Sequence, residues 1–169
     1  MISRVDPRSA DWLMRNIFGF SFQYKRGNTP IILSIPHGGL IDSDHIPDRQ
    51  CHCHAPHDIQ KCPIILKNDG YTIDLGLAIA DSMLLYQNIK PYIVINHLKR
   101  SKLDPNRDIR HGAQENEAAI QAFQTYHKFI SKAKTKFKRG LIIDLHGQNI
   151  EKITQLGKFL NLFGYIFLL

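Results

Sequence analysis

His37 and His146 are the two side chains best suited to reactive chemistry, and both follow short apolar runs. Two imidazoles and one carboxylate can hold a catalytic zinc ion and leave its fourth position open for water. A zinc ion so held lowers the pKa of that water towards neutrality and polarises a scissile carbonyl. The acids available as third ligand are Asp69, Asp42, Asp44 and Asp74. Asp69 is preferred, because Asp69-Gly70-Tyr71-Thr72 reads as a loop entering a helix, with Asp69 near its N-cap. Asp144 precedes His146 by two positions, so on a strand the two share a face. It is placed to orient the imidazole from behind.

A second constellation is Arg100 with Asp104-Pro105-Asn106-Arg107. Guanidinium groups grip a carboxylate through two parallel hydrogen bonds. Asn106 adds a neutral donor, and Asp104 can fix an arginine's orientation. Cys51-His52-Cys53-His54, with His57 and Cys62, lacks the Cys-x-x-Cys spacing of structural zinc sites. Its alternating residues point opposite ways in an extended segment, so it reads as a loop.

The elements that must position these groups follow from the apolar pattern. Ile31–Ile35, Tyr92–Asn96 and Leu141–Leu145 are continuous apolar runs of the kind buried on both faces of a sheet. Pro36 cannot continue a ladder, and Gly38 and Gly39 permit a tight turn. Leu75, Ile79 and Met83 recur at helical spacing as far as Gln87. A long helix is expected from Ala113 to Phe137, with Ala119, Phe123, His127 and Ile130 on one face and Gly140 after its end. A short amphipathic helix is expected at 10–16, and 18–25 alternates weakly. Strands alternating with helices predict an α/β domain with a mostly parallel sheet flanked by helices. Ligands of such sheets bind beyond the carboxyl ends of the strands, where His37, Arg100 and His146 all fall.

The 169 residues suit one domain, and 43% hydrophobic content is ordinary for a folded chain. With 22 Lys and Arg against 15 Asp and Glu, the net charge of +7 favours anionic partners. Nucleic acid is disfavoured, because no aromatic residues interleave with the basic ones as a stacking platform. Lys132, Lys134, Lys136, Lys138 and Arg139 read as a solvated helix end. Three clustered cysteines argue against a disulfide framework and for a reducing, cytoplasmic setting. No signal pattern or run of membrane-spanning length is present, so no membrane partner is expected.

Taken together and in order, these motifs resemble the N-formylglutamate amidohydrolase family. The pieces are Ser34-Ile35-Pro36-His37-Gly38-Gly39, Asp69-Gly70-Tyr71-Thr72 before Leu75, Arg100 with Asp104-Pro105-Asn106-Arg107, Tyr126-His127, and Asp144-Leu145-His146-Gly147. The resemblance covers residues 30–157 and implies a zinc-carboxypeptidase-like fold. It implies His37 and His146 as zinc ligands, and Asp104 to Arg107 as the substrate-carboxylate site with Arg100 assisting. The implied reaction hydrolyses a small anionic N-acyl amino acid, with an arginine steadying the oxyanion. Two departures are visible. The carboxypeptidases place a glutamate three residues after the first histidine, and here that position holds Leu40. The family continues past the second histidine to a late glutamate base, whereas this chain diverges after Gly157 into an apolar tail over 158–169. The expectation is a C-terminally truncated form in which Glu151 is the only nearby acid to serve as base.

Overall fold

In chain order the elements are strands β1 (Trp12–Arg15), β2 (Phe22–Lys25) and β3 (Ile31–Ile35), helix α1 (Thr72–Gln87), strand β4 (Tyr92–Asn96), helices α2 (Ile109–Ala113) and α3 (Glu117–Lys134), and strands β5 (Gly140–Leu145) and β6 (Phe163–Leu168). This computed structural model describes residues 22–50 and 64–147, together with the backbone of β1 and β6.

The three apolar runs become β3, β4 and β5, and they lie side by side in a sheet of order β1-β2-β4-β3-β5-β6. β3 pairs in parallel with both β4 and β5, and β5 pairs in parallel with β6. The architecture is therefore α/β, as the alternation predicts. The sheet is mixed, however, because β2 runs antiparallel to β4 and β1 antiparallel to β2. The link between β2 and β3 is only residues 26–30. So short a link cannot return the chain to its starting end, which a parallel crossover requires. It passes instead over the start of β4, where Asn28 N–H and the Thr29 hydroxyl both donate to the Lys90 carbonyl. The segment expected to be a helix at 10–16 supplies β1, whose backbone is taken up by the ladder with β2.

Alternation along the inner strands builds two cores. Ile32, Tyr92, Val94 and Ile142 face α3, where they meet Ala119, Ala122, Tyr126 and Phe129. Leu33, Ile35, Ile93, Ile95, Ile143 and Leu145 face the other way, towards Ile73, Leu77 and Ala80 of α1. Both faces of β3, β4 and β5 are thus buried, which is why these runs are continuously apolar.

The helix expected over 113–137 is divided. Asp108 caps α2 by accepting from the Arg110 and His111 N–H groups, and Asn116 caps α3 by accepting from Ala119 N–H. Between them Gln114 and Glu115 take φ values of 48° and 60°, outside the right-handed helix. α3 ends at Lys134, so Gly140 opens β5 rather than stopping the helix.

The chain leaving β3 returns one strand away at β4, whereas β5 is followed on its opposite side by β6. The gap between the ends of β3 and β5 is therefore a topological switch point, the place where open α/β sheets form a crevice.

Candidate functional site

His37 follows the end of β3 by two residues and is wholly buried. His146 directly follows β5. The ladder that sets Ser34 opposite Asp144 brings the two strand ends level. Gly39 lets this turn lie flat against β4, because a Cβ there would land on the His97 backbone. Asp69 joins from the long connection, with its N–H donating to the His37 carbonyl at 3.0 Å. It does not cap α1. That helix starts after Tyr71, which lies at φ 61° and makes no side-chain cap. The Thr72 hydroxyl donates to the Asp69 carbonyl, and the Asp69 carboxylate turns to the histidines.

Three candidate ligand atoms come together. His37 Nδ1 lies 3.1 Å from His146 Nδ1 and 3.3 Å from Asp69 Oδ2, and His146 Nδ1 lies 3.0 Å from the same oxygen. Tetrahedral donors held at zinc–ligand distances of about 2.0–2.1 Å stand about 3.3 Å apart. The triangle thus has the dimensions of three sites of a zinc tetrahedron, built from the only such metal-ligating group among the described residues.

Behind each imidazole sits another carboxylate. His37 Nε2 lies 2.7 Å from Asp104 Oδ1, and His146 Nε2 lies 3.3 Å from Asp144 Oδ2. The Asp104 contact puts the His37 ring proton on Nε2 and leaves its Nδ1 lone pair facing Asp69 and His146. On His146, an Nε2 proton would serve Asp144 and leave Nδ1 as a second ligand atom, whereas an Nε2 lone pair would accept from the Asn106 amide. Without a metal the group takes a proton instead. Burial alone would lower the His146 pKa, but Asp144 and Asp69 outweigh it and push it up to about 9. Burial likewise opposes ionisation of Asp69, yet the neighbouring His146 and His37 rings hold it well below the usual carboxylate range.

Asp104 is fully buried, and three arginines gather on its second oxygen. Arg100 Nε donates at 3.0 Å, while Arg49 and Arg107 approach to 3.6 and 4.0 Å. Arg100 also reaches Asp69 Oδ1 at 3.2 Å. It therefore bridges the Asp69 carboxylate and the carboxylate behind His37, and its side chain is only 10% exposed. The structure gives Arg100, expected to assist at the oxyanion and substrate, this bracing role. Arg49 is a participant that sequence reasoning missed. Its guanidinium donates to the Arg100, His111 and Ile65 carbonyls, tying three segments to the site. Nothing around Pro47-Asp48-Arg49 distinguishes it from a solvated loop arginine.

Asn106 points inward: its Nδ2 donates to Asp144 Oδ2 at 2.5 Å and sits 2.9 Å from His146 Nε2. Arg107 is nearly half exposed and lines a cleft of about 580 Å³ with Asn106, Asp144, His127, Ser131 and Lys134. Asp144 Oδ1 is the one buried side-chain polar atom without a hydrogen-bond partner among the described residues.

The other acids considered as ligands lie elsewhere. Asp42 pairs with Lys99 and Lys102, Asp44 is exposed, and Asp74 is exposed in the first turn of α1. Leu40 is 75% exposed. Glu151 and the segment containing Cys51, His52, Cys53, His54, His57 and Cys62 lie outside the described residues. No helix among the described residues is long and apolar enough to cross a membrane. Comparison of the chain with known protein families, with curated proteins and with solved structures finds no match.

Proposed function

We propose that this protein is a zinc-dependent amidohydrolase acting on small N-acyl amino acids of the N-formyl-glutamate type, on a zinc-carboxypeptidase-like fold. One observation carries the reading. His37, Asp69 and His146 come from three distant segments, yet their donor atoms form a triangle with sides of 3.0–3.3 Å. Each imidazole is also backed by a carboxylate. Proton sharing alone would not need two such backing carboxylates, whereas metal ligation uses them to fix tautomer and basicity.

A zinc ion bound there supplies Lewis-acid polarisation of the acyl carbonyl and an acidified water. Asp104 and Asp144 hold the ring protons on the outer nitrogens, and Arg100 keeps Asp69 and Asp104 in place. Arg107 presents its guanidinium to the cleft as the grip on the substrate's carboxylate. Glu151, shortly after His146 in the chain, is the acid assigned to carry the proton from water to the leaving nitrogen.

Charge supports the choice of an anionic substrate. Asp69, Asp104 and Asp144 balance Arg49, Arg100 and Arg107, so with neutral histidines a dication leaves the site positive.

The deciding experiment measures the zinc content of purified protein and of a His37→Ala/His146→Ala double variant, with formate release from N-formyl-L-glutamate as the second readout. About one equivalent of zinc, lost in the variant, together with turnover supports the proposal. Absence of metal and an unchanged melting temperature in the variant would reject it. Zinc and carboxylate binding without turnover would make the chain a carboxylate-binding protein.

A further inference from the structure

The Asp104–Arg107 turn carries three groups of the site: Asp104 on His37, Asn106 on Asp144, and Arg107 on the cleft. Its backbone is held at each end. Asp104 N–H donates to the Gly112 carbonyl, Arg107 N–H donates to the Asp104 carbonyl, and Asn106 N–H donates to the Asp104 carboxylate. Between them sits Pro105, which is buried and has no N–H of its own. Its carbonyl is its only polar backbone group, and this accepts from His127 Nε2 at 3.0 Å. That bond ties the turn to α3, across 22 residues of sequence.

His127 is itself well fixed. Its ring packs on Phe123 at 4.4 Å between centroids and stands edge-on to Tyr126 at 5.8 Å. Burial lowers its pKa below the ordinary histidine value, and the bond to a carbonyl places an imidazole proton on Nε2. The same side chain lines the cleft beside Asn106 and Arg107.

We infer that His127 is a positioning residue: through the Pro105 carbonyl it sets where Asn106 and Arg107 stand in the cleft, and so sets affinity for the ligand's carboxylate. The nature of that ligand rests on the functional reading above, whereas the brace itself does not. A loose Pro105 would let the Arg107 guanidinium drift from its place in the cleft while leaving His37, Asp69 and His146 in register. The effect therefore falls on anion binding and KM, with zinc stoichiometry kept.

The test compares wild type with His127→Leu, which fills the space without a donor, and His127→Gln, which restores one. The probe is glutarate, a dicarboxylate with no scissile amide, titrated calorimetrically into zinc-loaded protein. Amide hydrogen exchange at Asn106 and Arg107 is followed in parallel. His127→Leu is expected to bind glutarate about tenfold more weakly, the loss of one hydrogen bond's worth of placement. His127→Gln is expected to return within about threefold of wild type. Exchange at the two amides should quicken only in the leucine variant. Exchange unchanged in that variant, or a glutamine variant as impaired as the leucine one, would overturn the proposal. Failure of wild type to bind glutarate would instead strike the functional reading and the affinity role, and the exchange measurement would still decide whether the brace exists.

Discussion

The Nδ1 atoms of His37 and His146 face each other at 3.1 Å, although the residues are 109 positions apart in the chain. Two bare lone pairs at that distance would repel, so a proton or a metal ion belongs between them. In this site the choice is a proton on His146 or a metal ion between the rings.

If the proposed site holds zinc, zinc titrated into metal-free protein should raise the melting temperature, because a ligand that prefers the folded state stabilises it. At a free concentration of 100 Kd the gain is about 2.7 kcal/mol. His146→Ala should abolish that gain. Calorimetric scans with and without zinc check this, and a variant that keeps the full gain would place the metal elsewhere.

The proton alternative gives a pH signature. The His146 pKa rises from the ordinary value of 6.5 to about 9 in the metal-free fold. A raised pKa contributes stability that is complete below about 6.5 and is lost as pH climbs towards 9. The melting temperature of the metal-free protein should accordingly fall across that window. Zinc affinity should rise across the same window, because ligation requires that proton to leave. A flat profile for the metal-free protein would count against the assignment.

Asp104→Asn keeps the shape of a fully buried side chain but removes the charge facing Arg100, Arg49 and Arg107. Loss of one partner in a buried ion cluster costs about 3 kcal/mol or more. Weaker orientation of His37 should lower zinc affinity about 10–100-fold. Chemical denaturation and chelator competition give the two numbers separately.

Arg107→Ala should weaken glutarate binding by about 10–100-fold, the value of a charge-assisted hydrogen bond, with zinc binding kept. Equal glutarate affinity in variant and wild type would remove Arg107 from the carboxylate grip.

Two glycines separate backbone crowding from mere presence. An added Cβ at Gly39 would overlap the His97 backbone, so Gly39→Ala should cost about 1–3 kcal/mol and disturb His37. Gly70 has nothing within 4 Å of such a Cβ, so Gly70→Ala should stay within about 0.5 kcal/mol of wild type. Urea titration of both variants checks the contrast.

What the chain order alone determined was the inner sheet and the strand ends. Ile31–Ile35, Tyr92–Asn96 and the run into Leu145 are continuous apolar stretches, and burial on both faces demands such stretches of any parallel strand. His37, Asp69 and His146 were legible as ligand candidates because their residue types sit at strand ends and a helix entry, which are local features. The split between α2 and α3 was less legible, although Asp108 and Asn116 are both cap residues, because the apolar spacing runs on through the break.

Tertiary structure decided the rest. The antiparallel β2 follows from which strand edge its short link can reach, and no periodicity records that. The division of labour among carboxylates was also hidden: Asp69 is a ligand candidate rather than a helix cap, and Asp104 backs His37 as well as holding Arg100. Arg49 is buried and bonded across 51 residues to the Arg100 carbonyl. Whether a charged side chain is solvated or structural depends on the desolvation imposed by distant segments. That cost exists only once the chain has folded around it.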